Sequence, residues 1–150
     1  MKRLFLGLAL LGPSHTWAAT SPLTALTPQD VCVTGRISMS APEDVSNLFL
    51  LGASETLDGV STEYLDDVHF YGPACSVQSQ LTMSLDPAKR GMVYVVQLEL
   101  LRSQQVIWST KTTGKVKNLE AFEGMMSIPI TVVYGALVQA WQAAHEVAPH

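Results

Sequence analysis

The sequence has little charge and no long apolar run. Only 15% of its 150 residues are charged and 47% are hydrophobic, which is too apolar a composition for an intrinsically disordered chain. Polar residues interrupt every apolar stretch before it reaches the roughly 20 residues that a membrane-spanning helix needs. The composition therefore predicts a soluble globular protein.

Basic residues are also scarce. The chain has nine lysines and arginines against thirteen acidic residues, a net charge of −4. Two of the nine, Lys2 and Arg3, lie in an N-terminal segment that we expect to be removed, which leaves seven basic residues and about six net negative charges. Phosphate groups attract cationic surfaces. The net charge therefore argues against nucleic acid or anionic lipid as a partner.

Residues 1–19 have the features of a secretory signal peptide. Lys2 and Arg3 form a basic start, residues 4–12 form an apolar run, and the small residues within 16–19 offer a cleavage site. The apolar run is too short to remain as a membrane anchor. The sequence thus predicts an exported protein, periplasmic or secreted, whose mature chain has no transmembrane segment.

Cys32 and Cys75 are the only cysteines. An even pair in an exported protein predicts a disulfide bond, here closing a loop that stabilises the fold by about 3 to 4 kcal/mol in the chain-entropy model. A lipid anchor on Cys32 is excluded, because Gln29-Asp30-Val31 before it is not a lipobox. A redox role is disfavoured, because the two cysteines are far apart in sequence.

Alternation of apolar and polar residues predicts strands over about 31–39 and 77–85. A β-branched, nearly continuous apolar run predicts a third over 92–101, and a fourth follows over about 106–116. The last two form a hairpin in which the face carrying Leu100 should meet the face carrying Trp108. A two-residue turn would set Glu99 opposite Trp108, so we expect a loop of three or five residues.

Helix signals lie on either side of these strands. Ser40 and Glu43 form a capping box that predicts a helix ending at Gly52, with an irregular connection or a second short helix before residue 73. Asn118 is a plausible cap for another short helix. A longer helix begins near Pro129 and carries one apolar stripe of Ile130, Val133, Tyr134, Leu137, Trp141 and Ala144.

Together these elements predict an α+β two-layer sandwich. Its order is β-α-(α)-β-β-β-α, with a mostly antiparallel sheet of about four strands and the helices packed on one face. Residues 1–19 are expected to be the signal peptide, 20–30 a flexible N-terminal lead with several Ser, Thr and Pro residues, and 31–148 a single domain.

A stretch of about forty residues resembles known bacterial envelope domains. It consists of a strand after Gly72-Pro73, an apolar strand ending in 98–101, a polar turn, and the strand Val106-Ile107-Trp108-Ser109. In this order it resembles the TolB N-terminal domain and related transport-auxiliary lipoproteins. The resemblance implies a non-enzymatic accessory module of the envelope. The chain departs from those proteins in having no acylated cysteine and no β-propeller after this domain.

Three sets of residues are candidate sites. The polar face of the sheet is a candidate partner-binding surface, and aromatic residues between helix and sheet are a candidate ligand crevice. An acidic cluster with one histidine is a candidate site for a divalent cation, although a solvated acidic face is the commoner outcome. The sets are Gln78, Gln80, Thr82, Gln97 and Glu99 for the partner, Tyr94, Trp108 and Trp141 for the ligand, and Glu63, Asp67 and His69 for the metal.

The sequence contains no motif for a catalytic nucleophile, a dinucleotide or a phosphate loop, so it predicts no cofactor and no catalytic residue. The first hypothesis is an exported accessory protein that binds an envelope protein or another envelope component. The alternative is a protein that binds a small ligand or a metal. An enzyme is the third and weakest hypothesis.

Overall fold

The computed structural model describes residues 20–64 and 75–146. Four strands form one sheet in the order β1-β2-β3-β4: β1 is Val31–Ser40, β2 is Val77–Pro87, β3 is Met92–Arg102 and β4 is Gln105–Val116. Strand β1 runs parallel to β2, and the other two pairs are antiparallel. The predicted α+β two-layer sandwich with a mostly antiparallel sheet is confirmed.

Two long helices cover one face of this sheet. Helix α1 is Asn47–Tyr64, the short α2 is Leu119–Glu123, and α3 is Ser127–His145. The predicted stripe of α3 faces the sheet, because Ile130, Tyr134 and Leu137 are buried in the core. Within the described ranges, no helix is long and apolar enough to cross a membrane.

Helix α1 differs from its prediction at both ends. It begins later than the Ser40–Glu43 box, with the Ser46 hydroxyl accepting from the Phe49 N–H at 3.1 Å, and it continues through Gly52 for 18 residues in all. A Cβ on Gly52 would lie only 2.9 Å from Cε of Met126. Gly52 therefore serves a close contact with the residue before α3 instead of ending the helix.

The β3–β4 hairpin has the predicted facing residues but not the predicted loop. Leu100 lies opposite Trp108, as expected, yet the turn has only two residues, Ser103 and Gln104, with φ of 51° and 65°. A register shift between Leu100 and Leu101 reconciles the two observations. The bulge adds one residue to β4 and so shifts the pairing by one position, as a loop with an odd number of residues would. Glu99 therefore pairs with Ser109, on the face of the sheet away from Leu100 and Trp108.

The segment from residue 20 to residue 30 is not the flexible lead that its composition predicts. It forms two 3₁₀ turns, Pro22–Ala25 and Pro28–Asp30, and Leu23 and Leu26 are buried in the core against α3 and the sheet. The residue between the two turns is fixed to α3, since Nε2 of His145 contacts the Leu26 carbonyl oxygen at 2.9 Å. Burial of these two apolar side chains orders the segment despite the polar residues around them.

The predicted disulfide is confirmed, and Cys32 is bonded to Cys75 across a Cα separation of 5.8 Å. It joins the start of β1 to the residues just before β2. Since Cys32 lies opposite Gln78 in the register, the bond lies on the side of the sheet away from the helices.

Candidate functional site

Within residues 20–64 and 75–146, no helix packs on the second face of the sheet, here called the open face, and this face is polar in its centre. Along β2, Gln78, Gln80 and Thr82 alternate with the fully buried Leu81 and Met83. Strand β3 continues the pattern with the half-buried Gln97 and Glu99. The structure thus brings all five predicted partner-binding residues onto one surface.

The register orders these side chains into rows. Gln80 lies opposite Glu99, and Thr82 lies opposite Gln97. Within each strand the side chains also contact one another, because Nε2 of Gln97 donates to Oε1 of Glu99 at 2.7 Å and Nε2 of Gln80 donates to Oγ1 of Thr82 at 3.5 Å. The short bond to Glu99 holds the Gln97 amide in a fixed orientation on the sheet, which favours specific hydrogen bonding with a partner.

The outer strands extend both rows with side chains that were not among the predicted site residues. Arg36 and Ser38 of β1 pair with Gln80 and Thr82, while Ser109 and Lys111 of β4 pair with Glu99 and Gln97. Each row therefore crosses all four strands with hydrogen-bonding groups. The polar positions of β1 and β4 show the same alternation, so the sequence pattern could have identified them.

A cleft of about 310 Å³ lies at one end of the open face, beside the disulfide. This volume is at the lower limit for small-ligand sites. Its walls come from Arg36 in the middle of β1, from the start of β2 and the residues just before it, and from the end of β3 with the β3–β4 turn. The lining residues are Arg36, Cys75, Ser76, Gln78, Ser79, Gln80, Leu101, Ser103 and Gln104.

One acidic group lies at the rim of this cleft. The Asp30 carboxylate accepts from the backbone N–H and the hydroxyl of Thr27, both at 2.8 Å, and from the Ser76 hydroxyl at 3.4 Å. The two bonds from Thr27, more than the Ser76 bond or the charge of Arg102, hold the pKa of Asp30 below its usual value. Asp30 thus remains ionised and attaches the N-terminal turns to the edge of the cleft.

The structure does not assemble the predicted aromatic crevice. Tyr94 lies on β3 opposite Gly114, whereas Trp108 lies on β4 opposite Leu100 of β3. Tyr94 and Leu100 are six residues apart along β3, which separates Tyr94 from Trp108 by about 20 Å. The ring of Tyr94 packs against Phe122, with centroids 5.2 Å apart. Trp141 stacks on His145 at 4.5 Å and belongs to the core. These aromatic residues stabilise different parts of the core.

The predicted metal site lies outside what the structure describes. Glu63 is in the last turn of α1, where only the backbone is described, and Asp67 and His69 fall between residues 64 and 75. Among the residues that are described, no group of three or more His, Cys, Asp or Glu side chains is arranged to hold a metal ion. The acidic cluster therefore stays a prediction.

The fold and the open face together define a two-layer α+β domain with a rigid hydrogen-bonding surface. No protein-family model matches the chain, and no curated protein matches it in sequence. Among solved structures it is similar to a point variant of PelC from Paraburkholderia phytofirmans, a dodecamer, with a TM-score of 0.51 and 17% identity over 75% of this chain and 89% of PelC.

Two further solved structures match with lower scores. A second PelC dodecamer from the same organism has a TM-score of 0.49 and 15% identity over 75% of this chain and 90% of PelC. The protein XCC0632 from Xanthomonas campestris, of family DUF330, has a TM-score of 0.35 and 15% identity over 80% and 91% of the two chains. The match to the PelC point variant, at a TM-score of 0.51 and 17% identity, establishes a shared fold and nothing more.

Proposed function

We propose that this protein is an exported, non-enzymatic accessory protein of the bacterial envelope, and that it acts by binding a partner through the open face. The observation that carries the proposal is the pair of polar rows crossing all four strands, through Gln80 and Glu99 and through Thr82 and Gln97. The signal peptide predicted from the sequence supports export, and the resemblance to the TolB N-terminal domain supports an envelope role.

The open face suits a protein or saccharide partner better than an apolar ligand. Its central side chains are amides, hydroxyls and one carboxylate, which both donate and accept hydrogen bonds. Because the sheet and the Gln97–Glu99 bond at 2.7 Å fix these groups, a partner that matches them loses little conformational entropy on binding. The cleft beside Arg36 extends the same surface at one end.

Substitution of the two central glutamines tests this proposal. Gln80→Lys combined with Gln97→Lys places two new charges in neighbouring rows and should abolish capture of the partner by cross-linking in the native cells, while the melting temperature stays close to that of the wild type. Gln139→Lys combined with Gln142→Lys is the matched control, because both residues are exposed on α3, away from the sheet. Unchanged capture by the double variant would refute the placement on the open face.

The PelC structures add one specific candidate for the partner. PelC, which shares this fold, is a dodecamer. Assembly from identical copies is therefore the second form that the proposed function takes, with the open face or the edge strand β4 in the contact between copies. Light scattering on the purified protein separates the two forms: an oligomer identifies the partner as a second copy, and a monomer shows that the partner is a different molecule. Dissociation of an oligomer by the double variant would place the contact on the open face, and its persistence would place the contact on β4.

A further inference from the structure

The cleft beside the disulfide lies where β1 bulges. Strand β1 has three residues between Cys32 and Arg36. Strand β2 has one residue, Ser79, between the partners Gln78 and Gln80. The surplus residues of β1 interrupt the ladder there, and such bulges are common beside binding sites because they re-aim a side chain. The cleft extends between the two strands at this point, since the buried Ser79 lines it together with Arg36.

The cleft contains a cation without a partner. Arg36 is the only charged side chain among the described residues that line it. The Arg36 side chain is exposed and has no ion pair with any residue that the structure describes. A guanidinium presents its N–H donors in a planar fork that matches the two oxygens of a carboxylate. These donors are therefore available to a ligand in the cleft.

Most of the other lining side chains are hydroxyls and amides, which both donate and accept hydrogen bonds. Apolar contact comes from Leu101 and from the disulfide at Cys75. Such a lining favours a ligand rich in hydroxyl groups over an apolar ligand. The hydroxyl and amide residues are Ser76, Ser79, Ser103, Gln78, Gln80 and Gln104.

Carboxylates around the cleft limit the charge that a ligand can carry. Asp30 lies at the rim, and Glu99 lies opposite the lining residue Gln80. These two negative charges offset the charges of Arg36 and of Arg102, which acts electrostatically on Asp30. Without a surplus of positive charge, the cleft does not suit a phosphate monoester, which carries nearly two negative charges. It suits a monoanion that pairs with one guanidinium.

We propose that the cleft binds a sugar acid, with the Arg36 guanidinium against the carboxylate and the serine and glutamine side chains against the hydroxyl groups. The cleft volume of about 310 Å³ suits a ligand of the size of one sugar unit. A hydrogen bond between charged groups is about twice as strong as a neutral one, so the carboxylate determines which sugar is bound. A free sugar acid and a uronic acid residue of a polysaccharide offer this same chemistry.

An NMR titration of the ¹⁵N-labelled exported protein with galacturonate tests the proposal. Galacturonate should bind with a dissociation constant of about 1 mM, as the usual binding free energy per atom gives for a ligand of this size. The side-chain amide signals of Gln78, Gln80 and Gln104 should shift, because these groups line the cleft. Galactose has the hydroxyl groups but no carboxylate, so it should bind at least about tenfold more weakly.

Substitutions of Arg36 separate its charge from its shape. Arg36→Gln should weaken galacturonate binding at least about tenfold. Arg36→Lys keeps the charge but not the fork, so it should cause a smaller loss. The melting temperature should not change, because Arg36 is exposed. Arg90→Gln is the matched control: it removes the same side chain from the β2–β3 turn, at the other end of β2, and should change binding less than about twofold.

The proposal would be overturned by unshifted amide signals at about 20 mM galacturonate, by equal binding of galactose, or by an equal loss in Arg90→Gln. A trisaccharide of one galacturonate and two galactose units distinguishes the two sources of the acid. Binding at least about tenfold tighter than that of galacturonate would identify a polysaccharide residue, because the additional units contact the protein, and equal binding would identify a free sugar acid. The titration needs no protein partner, so its failure would leave capture through the open face unaffected.

Discussion

The two faces of the sheet are made of the same strands but differ in composition and burial. On the helix side, Leu81, Met83, Val96 and Leu98 are fully buried and fill the space beneath α1 and α3. On the open side, the residues between them stay half-exposed and bond to one another, as Gln97 does to Glu99. Stability is therefore concentrated on one face, which leaves the other face free to be selected for binding.

Adjacent residues of β3 give the sharpest test of this difference. Leu98→Ala removes a fully buried side chain and should lower the free energy of unfolding by about 2 to 5 kcal/mol. Gln97→Ala, one residue earlier and on the open face, should change it by less than about 0.5 kcal/mol. Urea unfolding of both variants measures the two effects. Losses of similar size would mean that the open face contributes to the fold as much as the core does.

The disulfide is a place on the open side where a large stability effect is expected. Cys32 and Cys75 are separated by 43 residues, so replacing both with alanine should lower the free energy of unfolding by about 3 to 4 kcal/mol in the chain-entropy model. The same urea experiment with and without a reducing agent supplies the control. Reductant should destabilise the wild type and leave the double variant unchanged; equal stability of the two proteins without reductant would contradict the structural role.

The features that the sequence predicted correctly are those that depend on local pattern. Period-two alternation identified which residues of β2 and β3 face the core, and helical spacing identified the stripe of α3. The Asn118 cap is also present, with its side-chain oxygen accepting from the Ala121 N–H at 2.9 Å. Each of these signals is complete within a few residues, so no knowledge of the tertiary structure was needed.

The features that it missed depend on partners far away in sequence. Gly52 is typical of a helix end, but its lack of a side chain serves the contact with Met126. The bulge after Leu100 follows from packing Trp108 on the core face, which no turn rule contains.

Substitution of Asp30, at the edge of the cleft, should give the smallest change in stability, and this change should depend on pH. Because hydrogen bonds from Thr27 lower the pKa of Asp30 in the folded protein, ionised Asp30 stabilises the fold at pH values above its ordinary pKa of about 3.9. This contribution is lost as the pH falls through the lowered pKa. Asp30→Asn should therefore melt below the wild type at neutral pH, and the gap should close in acid.

Melting temperatures of the wild type and of Asp30→Asn, measured from neutral pH down to about pH 2, test this sign. Thr27→Val removes the hydroxyl donor but keeps the backbone donor, so it should show the same dependence with a smaller amplitude. A gap that stayed constant with pH would show that the carboxylate acts only through its shape. If the gap closes, the ionised Asp30 side chain holds the N-terminal turns at the edge of the cleft, in addition to the buried Leu23 and Leu26. The polar side of the molecule then also contributes to stability, through a charged group and not through apolar burial.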